Sequence, residues 1–232
     1  MLSFSVPYFF AQFPKLITVI PYTMYIIAVS ALLCLVLGTA IAVVRLAKVP
    51  VLAHVCEVWL SFIRSMPFIL ELYLVYFCLP AFLKLFNVDT NGWPLEVYVF
   101  TAISFHYAPM ISEVLRPAYL SVDRGQHEAA MVFGLSPFKR IYRIVAPQAL
   151  PVALPGLVNQ LIDMIKDTSL MFLIGVVDLM GKAGLIINGN YGKGKLESYV
   201  AVAVLYWGIV IILELIMHYF ERRNLKPLSR RA

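Results

Sequence analysis

The feature that most constrains the fold is an uninterrupted apolar run near the start of the chain. No charged residue occurs from Ile17 to Val44, and the run ends at Arg45 and Lys48. A bilayer core about 30 Å thick is crossed by roughly 20 residues of α-helix. Because backbone polar groups find no water partners in hydrocarbon, such a run must form its hydrogen bonds within a helix. The run therefore predicts a transmembrane helix.

The composition of the whole chain extends this prediction. Hydrophobic residues make up 61% of the 232 residues and charged residues 14%, and the mean hydropathy is +0.83. A chain of this length has room for about five spans and their loops. We therefore predict one all-α, polytopic membrane domain over residues 1–232. Its expected spans are residues 17–44, 58–83 with a kink at Pro67, 94–115, 152–177 and 199–220.

Composition also excludes some classes of function. The net charge is +6, but the basic residues are scattered through the loops instead of forming one patch. That distribution argues against a nucleic-acid partner. Cys34, Cys56 and Cys78 form no CxxC pair and no cluster with histidines. We therefore expect no metal site and no disulfide.

Lys and Arg divide unequally between the two sides of the predicted spans. Because cytoplasmic loops carry the excess of these residues, the richer side is predicted to be cytoplasmic. This places the N-terminus outside, the C-terminus inside and residues 120–149 in the cytoplasm. The richer side holds Arg45, Lys48, Arg64, Arg116, Arg124, Lys139, Arg140, Arg143, Arg222, Arg223, Lys226, Arg230 and Arg231, and the poorer side holds Lys15, Lys84, Lys182, Lys193 and Lys195.

The segment of residues 120–149 has the pattern of two short helices. Good helix formers extend from Gln126 to Phe133, and Gly134 suits the left-handed position that ends a helix. Ser136 is a typical N-cap residue, and Pro137 fits the first helical position. The segment therefore predicts a helix, a tight turn and a second helix.

The second of these helices is amphipathic. Its apolar residues recur at helical spacing opposite Lys139, Arg140 and Arg143; they are Phe138, Ile141, Tyr142 and Val145. Pro147 and Pro151 are expected to interrupt it before the fourth span. Two such helices at the membrane surface fit a docking element for a soluble partner, and they fit a connector in the headgroup layer equally well.

The same segment resembles a known motif. Glu128-Ala129-Ala130, Gly134, Ile144 and Pro147 resemble the EAA loop of ABC importer permeases, with Ala146 where that family usually has Leu. Other stretches resemble its polar amino acid branch, the histidine-, glutamine- and cystine-type permeases. These are Phe62-Ile63-Arg64-Ser65-Met66-Pro67, Glu113 followed by Arg116, Gly125-Gln126, Pro147-Gln148-Ala149 and Lys166-Asp167-Thr168-Ser169-Leu170. The resemblance covers about residues 17–220.

The resemblance implies a type I ABC importer permease fold and function. In that family two permease chains, identical or homologous, form the pore in the bacterial plasma membrane. A cytoplasmic ABC ATPase dimer holds ATP and Mg, and an extracytoplasmic binding protein delivers the amino acid. This chain would then bind no cofactor and would not itself be an enzyme, because it couples the ATPase to alternating access. The ATPase-coupling residues implied are Gln126, Glu128, Ala129, Ala130, Gly134 and Pro147.

Ionisable residues inside the predicted spans are expected to face protein or water, because a charge in hydrocarbon costs about 2.5–3.5 kcal/mol. Glu113 and Arg116, three residues apart, suit a structural ion pair on one helix face. Four others are candidates for a polar substrate pathway: Glu71, Asp163, Lys166 and Asp167. For Asp163, Lys166 and Asp167 an internal ion pair is an equal alternative, and for Glu71 the alternative is a basic partner on another helix.

Two other functions stay open on the buried charges alone. An ion-gradient-driven secondary amino acid transporter would use buried carboxylates as proton or cation sites, and a membrane scaffold would transport nothing. The EAA-like loop favours the ABC permease over both. The expected substrate is a polar amino acid, and the run Arg116-Pro117-Ala118-Tyr119 suggests cystine or a related sulfur compound.

The predicted orientation can be tested at Ser136. In a chain whose three cysteines are replaced by serine, Ser136→Cys should react with a membrane-impermeant thiol reagent only after the cells are opened, because the basic side is cytoplasmic. Lys193→Cys, on the predicted outer side, should react in intact cells. Labelling of Ser136→Cys from outside would contradict the orientation.

Overall fold

A computed structural model of the chain describes residues 4–224, with side chains up to residue 219. This part of the chain consists of helices and short connections, which confirms the predicted all-α class. Its helices are α1 (Val6–Ile17), α2 (Ile20–Leu46), α3 (Leu52–Ser65), α4 (Phe68–Lys84), α5 (Leu95–Leu120), α6 (Arg124–Val132), α7 (Pro137–Thr168), α8 (Leu179–Gly189) and α9 (Lys195–Asn224). Lys226, Arg230 and Arg231 of the predicted cytoplasmic side lie outside the described residues.

Three of these helices, α2, α7 and α9, are long and apolar enough to cross a membrane. Helices α3 and α4 would form a fourth span if the bent pair is counted as one. Helix α5, which covers the third predicted span, has 26 residues but is more polar, with buried Ser104 and Ser112 and the partly buried His106. A polar helix is tolerated at membrane depth where other helices enclose it. The count of five spans stays a prediction.

Helix α5 lies at the centre of the bundle. Val99, Ala102, Ile103 and Ala108 have no exposed surface. Helix α2 runs parallel to α5, since contacts join Tyr22 to Glu96 near their starts and Arg45 to Glu113 near their ends. Helix α7 packs antiparallel on another side of α5. Protein therefore covers most of the central helix, and Phe105 is the exposed residue near its middle.

Glycine sets the distance between α2 and α5. A Cβ atom at Gly38 would lie 2.8 Å from the carbonyl oxygen of Ala108 and 2.7 Å from Cγ2 of Ile111. Such a contact is closer than any side-chain carbon can make, so only glycine permits this approach of the two helices. A glycine also permits close packing of α7 on α5, because a Cβ at Gly156 would lie 2.7 Å from Cγ1 of Val114.

The second predicted span is broken into two helices. Helices α3 and α4 meet at 113°, and the backbones of Met66 and Pro67 are extended between them. Proline disfavours a helical conformation in the residue before it, so α3 ends at Ser65. The kink predicted at Pro67 thus marks the right position, but one continuous helix over residues 58–83 is not formed.

Two prolines lie just after π-helical turns. The turn Leu74–Cys78 precedes Pro80 and the turn Ile141–Val145 precedes Pro147. A proline ring clashes with the carbonyl four residues before it, and the wider π turn contains that carbonyl in both cases. The predicted interruption at Pro147 and Pro151 is therefore wrong, because α7 passes both prolines as one helix.

The fourth predicted span, residues 152–177, is α-helical only as far as Thr168. A single 3-10 turn, Met171–Ile174, follows it, and Gly175 takes a left-handed conformation with φ of 97°. Met171 and Ile174 are buried. Protein therefore covers one side of this irregular backbone, while Leu173, Gly175 and Val177 are exposed.

Helices α1 and α8 are present in the structure, but the sequence analysis predicted no span at either position. Both are shorter than a bilayer crossing requires. The backbone N–H of Ser5 donates to Oε1 of Glu197 at 2.8 Å, and the side-chain amide of Asn190 donates to the hydroxyl of Tyr8 at 2.9 Å. These contacts hold α1 beside the start of α9.

Gly38→Ala should destabilise the bundle. The added methyl group must displace α2 from α5, and overpacking of this kind costs about 1–3 kcal/mol. Gly208→Ala in α9 is the matched control, since a Cβ there meets no atom within 4 Å. Thermal unfolding of the purified protein in detergent should show a lower Tm for Gly38→Ala than for Gly208→Ala. Equal Tm values would contradict the close packing at Gly38.

Candidate functional site

The predicted coupling segment begins with a capped helix. Oδ1 of Asp123 accepts a hydrogen bond from the backbone N–H of Gly125 at 2.7 Å, so α6 starts at Arg124, two residues before the predicted start. Gln126, Glu128 and Ala129 are exposed on this helix. Their exposed side chains are accessible to another protein. Among the implied coupling residues of α6, Ala130 alone is buried, with 1% of its surface exposed.

The turn after α6 forms as predicted. Gly134 has φ of 70°, its N–H donates to the carbonyl of Met131 at 2.9 Å, and the N–H of Leu135 donates to the carbonyl of Ala130 at 3.0 Å. These two bonds define a Schellman motif, which needs a left-handed residue at the position of Gly134. The side chain of Ser136 then caps the next helix at Lys139. The α6–α7 turn is therefore fixed by glycine and by two backbone bonds.

The segment exposes an apolar surface. The exposed fractions are 86% for Val132, 84% for Phe133, 78% for Phe138 and 70% for Tyr142, and we call these four residues the coupling patch. The rings of Phe138 and Tyr142 are stacked, with an angle of 5° between their planes. Of the predicted apolar face of the second helix, only Val145 is buried in the chain. Exposed apolar patches of this kind mark surfaces for a protein or a membrane.

Pro147, the last of the implied coupling residues, lies inside α7 and is exposed. Because α7 is continuous, Phe138 and Tyr142 of the coupling patch belong to the same helix as residues 163–167. A helix of 32 residues is about 48 Å long. No loop therefore separates these two residues of the patch from the far end of α7.

A second group of polar residues meets at the middle of α5. His106 and Tyr107 stand halfway along its 26 residues. Nδ1 of His106 lies 3.0 Å from Oε2 of Glu71, and the hydroxyl of Tyr107 donates to Oδ2 of Asp167 at 2.7 Å. Glu71 follows the break at Pro67, and Asp167 is one residue from the end of α7. The two interrupted segments thus meet at mid-height of the central helix.

Glu71 is the most enclosed of these groups. Its side chain has no exposed surface, and the aromatic ring of Phe68 packs against the edge of the His106 ring. Glu71 has a partner on another helix, His106 of α5, and its place in a substrate pathway stays a prediction. Within the described residues its second oxygen, Oε1, has no hydrogen-bond partner. Sequence reasoning missed His106 and Tyr107, because nothing in their local spacing indicates a contact with α4 or α7.

The three charges near the end of α7 separate into two groups. Nζ of Lys166 lies 2.8 Å from Oδ1 of Asp163, as the spacing of three residues predicts. Both side chains are more than half exposed, at 56% for Asp163 and 62% for Lys166. Asp167 instead points toward Tyr107 in the bundle. The pair and the single carboxylate therefore face different surroundings.

The predicted ion pair between Glu113 and Arg116 is replaced by another. Nη2 of Arg45 lies 3.2 Å from Oε2 of Glu113, and Nη1 of the same side chain donates to Oγ of Ser112 at 3.1 Å. Arg45 comes from α2, which runs parallel to α5 and brings this base beside Glu113. The partner was missed because spacing along one helix does not report the neighbouring helix.

Comparisons with known proteins agree with these features. Residues 34–226 match the family described as binding-protein-dependent transport system inner membrane component. The chain is 34% identical over 217 residues to the L-cystine transport system permease protein TcyL of Bacillus subtilis, covering 94% of this chain and 90% of that one. It is 38% identical over 170 residues to the glutamine transport system permease protein GlnP of Escherichia coli, covering 73% and 74%.

Solved structures with the same fold extend the comparison. A crystal structure of an amino acid ABC transporter with histidines gives a TM-score of 0.79 at 24% identity, and it covers 95% of this chain and 99% of the other. An inward-facing structure of the MetNI methionine ABC transporter gives 0.70 at 20% identity, with the same coverage. Because both identities are below 25%, the similarity to these two structures supports the fold alone.

Proposed function

The chain belongs to the family of binding-protein-dependent transport system inner membrane components, and on that basis we propose that it is the permease subunit of an ATP-driven importer for a polar amino acid. A permease of this family is a membrane subunit of a transport system. The single observation that carries the ATP-driven part is the coupling patch, held at a turn whose residues match the EAA motif. A transporter driven by an ion gradient has no need of such a surface.

The proposed partner at the patch is a cytoplasmic ABC ATPase dimer. It would hold ATP and Mg and perform the hydrolysis, and this chain would bind no cofactor. The aromatic rings of Phe133 and Phe138 would enter a cleft of the ATPase, where their burial stabilises the contact. Ala129 beside Glu128 leaves room for close approach, and Gly134 fixes the angle at which the two helices present the patch.

Helix α7 is the proposed transmission element. When the ATPases close, the coupling patches of two permease chains would be drawn together. Because α7 is continuous from Pro137 to Thr168, the displacement would shift Asp163, Lys166 and Asp167 relative to α5. This shift would switch the pore between inward-facing and outward-facing states.

The polar group at mid-height of α5 is the proposed substrate pathway. Interrupted helices near the bilayer centre commonly form the binding sites of transporters. The carboxylates of Glu71, Asp163 and Asp167 suit the ammonium group of an amino acid, and Lys166 suits its carboxylate. The substrate class follows the names of the relatives, which include permeases for L-cystine and glutamine. Cystine is the first candidate to test.

The remaining parts of the proposal concern location and assembly. We place the chain in the plasma membrane of a bacterium, with its N-terminus outside and its C-terminus in the cytoplasm, following the asymmetry of Lys and Arg. A second permease chain would complete the pore. An extracytoplasmic binding protein would deliver the amino acid to the outer face.

Gly134→Ala should uncouple ATP hydrolysis from uptake. Alanine is strained in the left-handed conformation, so the two helices would present the patch at a different angle. Gly192→Ala is the matched control, because Gly192 also has a positive φ, 80°, and a Cβ there meets nothing within 4 Å. Uptake of radiolabelled cystine by cells, and stimulation of the ATPase in the purified complex, should fall with Gly134→Ala and not with Gly192→Ala.

Uptake that is unchanged in Gly134→Ala would contradict the coupling role of this turn. Uptake that persists after ATP depletion and collapses when the ion gradients are dissipated would instead support a secondary amino acid transporter. The two outcomes are separate, because the first concerns the turn and the second concerns the energy source.

The pathway should be sensitive to loss of single charges. Glu71→Gln, Asp163→Asn and Asp167→Asn each remove one carboxylate that would pair with the substrate, and a charge-assisted hydrogen bond contributes about 1.5–3 kcal/mol. Uptake should therefore fall by roughly tenfold or more in at least one variant, with the complex still assembled. Asp89→Asn, in an exposed turn, is the control. Wild-type uptake in all three variants would contradict the proposal that these carboxylates line the substrate pathway.

A further inference from the structure

An apolar groove lies between α2, α5 and α7, near the end of the bundle that carries the coupling patch. Its volume is about 430 Å³, within the range of about 300–1,000 Å³ that is usual for ligand sites. None of the residues assigned to the coupling patch or to the substrate pathway lines it. We call it the inner groove, and the proposed transport cycle gives it no role.

The walls of the inner groove are apolar. Thr39 and Tyr119 are the polar residues among those that line it, and the hydroxyl of Thr39 already donates to the backbone carbonyl of Leu35 at 2.7 Å. The lining residues include no carboxylate, ammonium or guanidinium group. A polar amino acid would therefore lose its hydration there without gaining a charged partner.

Small side chains form the floor of the groove. Ala42, Ala118 and Ala153 line it and are at most 3% exposed, whereas the larger Val43 and Leu150 line it and are more than half exposed. Buried alanines between larger exposed residues leave a furrow that is open to the surroundings of the chain. Within a membrane those surroundings are lipid.

The dimensions of the groove suit one lipid chain. Its lining runs from Thr39 to Ala47 on α2 and from Ile141 to Ala153 on α7, which correspond to about 12 Å and about 18 Å of helix. One leaflet supplies half of the hydrocarbon core, about 15 Å. Over that length the volume leaves a cross-section of about 30 Å², whereas an α-helix about 10 Å across needs about 80 Å². The groove therefore fits an acyl chain better than a helix of another protein.

Basic residues flank the groove at its cytoplasmic end. The exposed Lys48 follows Ala47 in the chain, and Arg140 precedes Ile141. Nε of Arg140 is buried and has no hydrogen-bond partner among the residues that the structure describes. Buried polar groups are rarely left in this state, and phosphate oxygens are acceptors that a guanidinium group binds well. Basic pockets between helices on the cytoplasmic side of a membrane bind anionic lipid headgroups.

We propose that the inner groove binds an anionic phospholipid of the cytoplasmic leaflet, with one acyl chain along the alanine floor and the phosphate between Lys48 and Arg140. The proposal rests on the proposed function for the orientation that puts this end of the bundle in the cytoplasmic leaflet. The acid on this part of α5, Glu113, is already paired with Arg45, so it does not compete for the two flanking bases.

The bound lipid would contact α2, α5 and α7 at once. A ligand that binds only the folded state raises its stability, so the lipid would hold the cytoplasmic ends of these helices together beside the coupling patch. The acyl chain and the phosphate contribute separately, because the chain is bound by the apolar walls and the phosphate by the two bases.

Native mass spectrometry of the purified full chain separates these two contributions. The protein is first equilibrated in nanodiscs of equal parts phosphatidylglycerol and phosphatidylcholine. The wild type should retain phosphatidylglycerol in preference to phosphatidylcholine. Ala149→Leu, which fills the groove, should lose both lipids. Lys48→Gln combined with Arg140→Gln should reduce phosphatidylglycerol retention about fivefold or more and leave phosphatidylcholine unchanged, since each base near an anionic headgroup contributes about fivefold.

Two control variants match these changes. Ala40→Leu adds the same bulk at an exposed position of α2 that does not line the groove, and Lys15→Gln combined with Lys193→Gln removes two exposed charges from the opposite side. Both should retain lipid as the wild type does. Equal retention by Ala149→Leu and Ala40→Leu, or a wild type that shows no preference for phosphatidylglycerol, would overturn the proposal.

A second measurement uses the wild-type chain alone, in case the variants fail to fold. Phosphatidylglycerol with a photoactivatable group on its acyl chain is incorporated into membranes that contain the chain with its partners. Cross-links should map to groove residues such as Val43 and Leu150, well above those on the exposed Trp207 and Ile212 of α9. Cross-links spread equally over both surfaces would show general contact with lipid, and none at the groove would show that another protein covers it. Either result would overturn the proposal.

Neither measurement requires transport or ATP. If Gly134→Ala leaves uptake unchanged while the groove still retains phosphatidylglycerol, the importer function fails and the lipid site stands. If Gly134→Ala abolishes uptake while lipid retention is the same in all variants, the importer function stands and the lipid site fails.

Discussion

Hydrocarbon offers no hydrogen-bond partner to a polar group, and the arrangement of this chain follows from that constraint. Helix α5 carries His106, Tyr107 and Ser112 at membrane depth, and each is met by a polar side chain from another helix or by backbone. This is possible only because α2, α4 and α7 enclose α5. Close packing at Gly38 and Gly156 brings two of those helices within reach.

The same enclosure brings distant parts of the chain to one place. The break at Pro67 would expose backbone groups if it faced lipid, and the end of α7 at Thr168 would do the same. Both lie beside the middle of α5, where Phe68 and Asp167 contact His106 and Tyr107. The long α7 then connects this polar centre to the coupling patch without an intervening loop.

Local signals in the sequence predicted local structure well. The left-handed turn at Gly134 and the pair formed by Asp163 and Lys166 each depend on residues within one or two helical turns, and both are present. Two other predictions from local sequence were wrong. Pro147 does not interrupt α7, because a π turn contains the carbonyl that its ring would clash with. Glu113 pairs with Arg45 because the parallel helix α2 brings this arginine beside it.

The sequence by itself determined that this is an all-α membrane protein, with a basic surface segment whose motif matches ABC importer permeases. The membrane class follows from hydropathy, which depends on the solvent, and the importer class follows from the resemblance of the segment to a known motif. The tertiary structure decided which charges meet. Glu71 with His106 and Asp167 with Tyr107 join residues 35 and 60 positions apart, and only the packing of helices around α5 brings such residues within hydrogen-bonding distance.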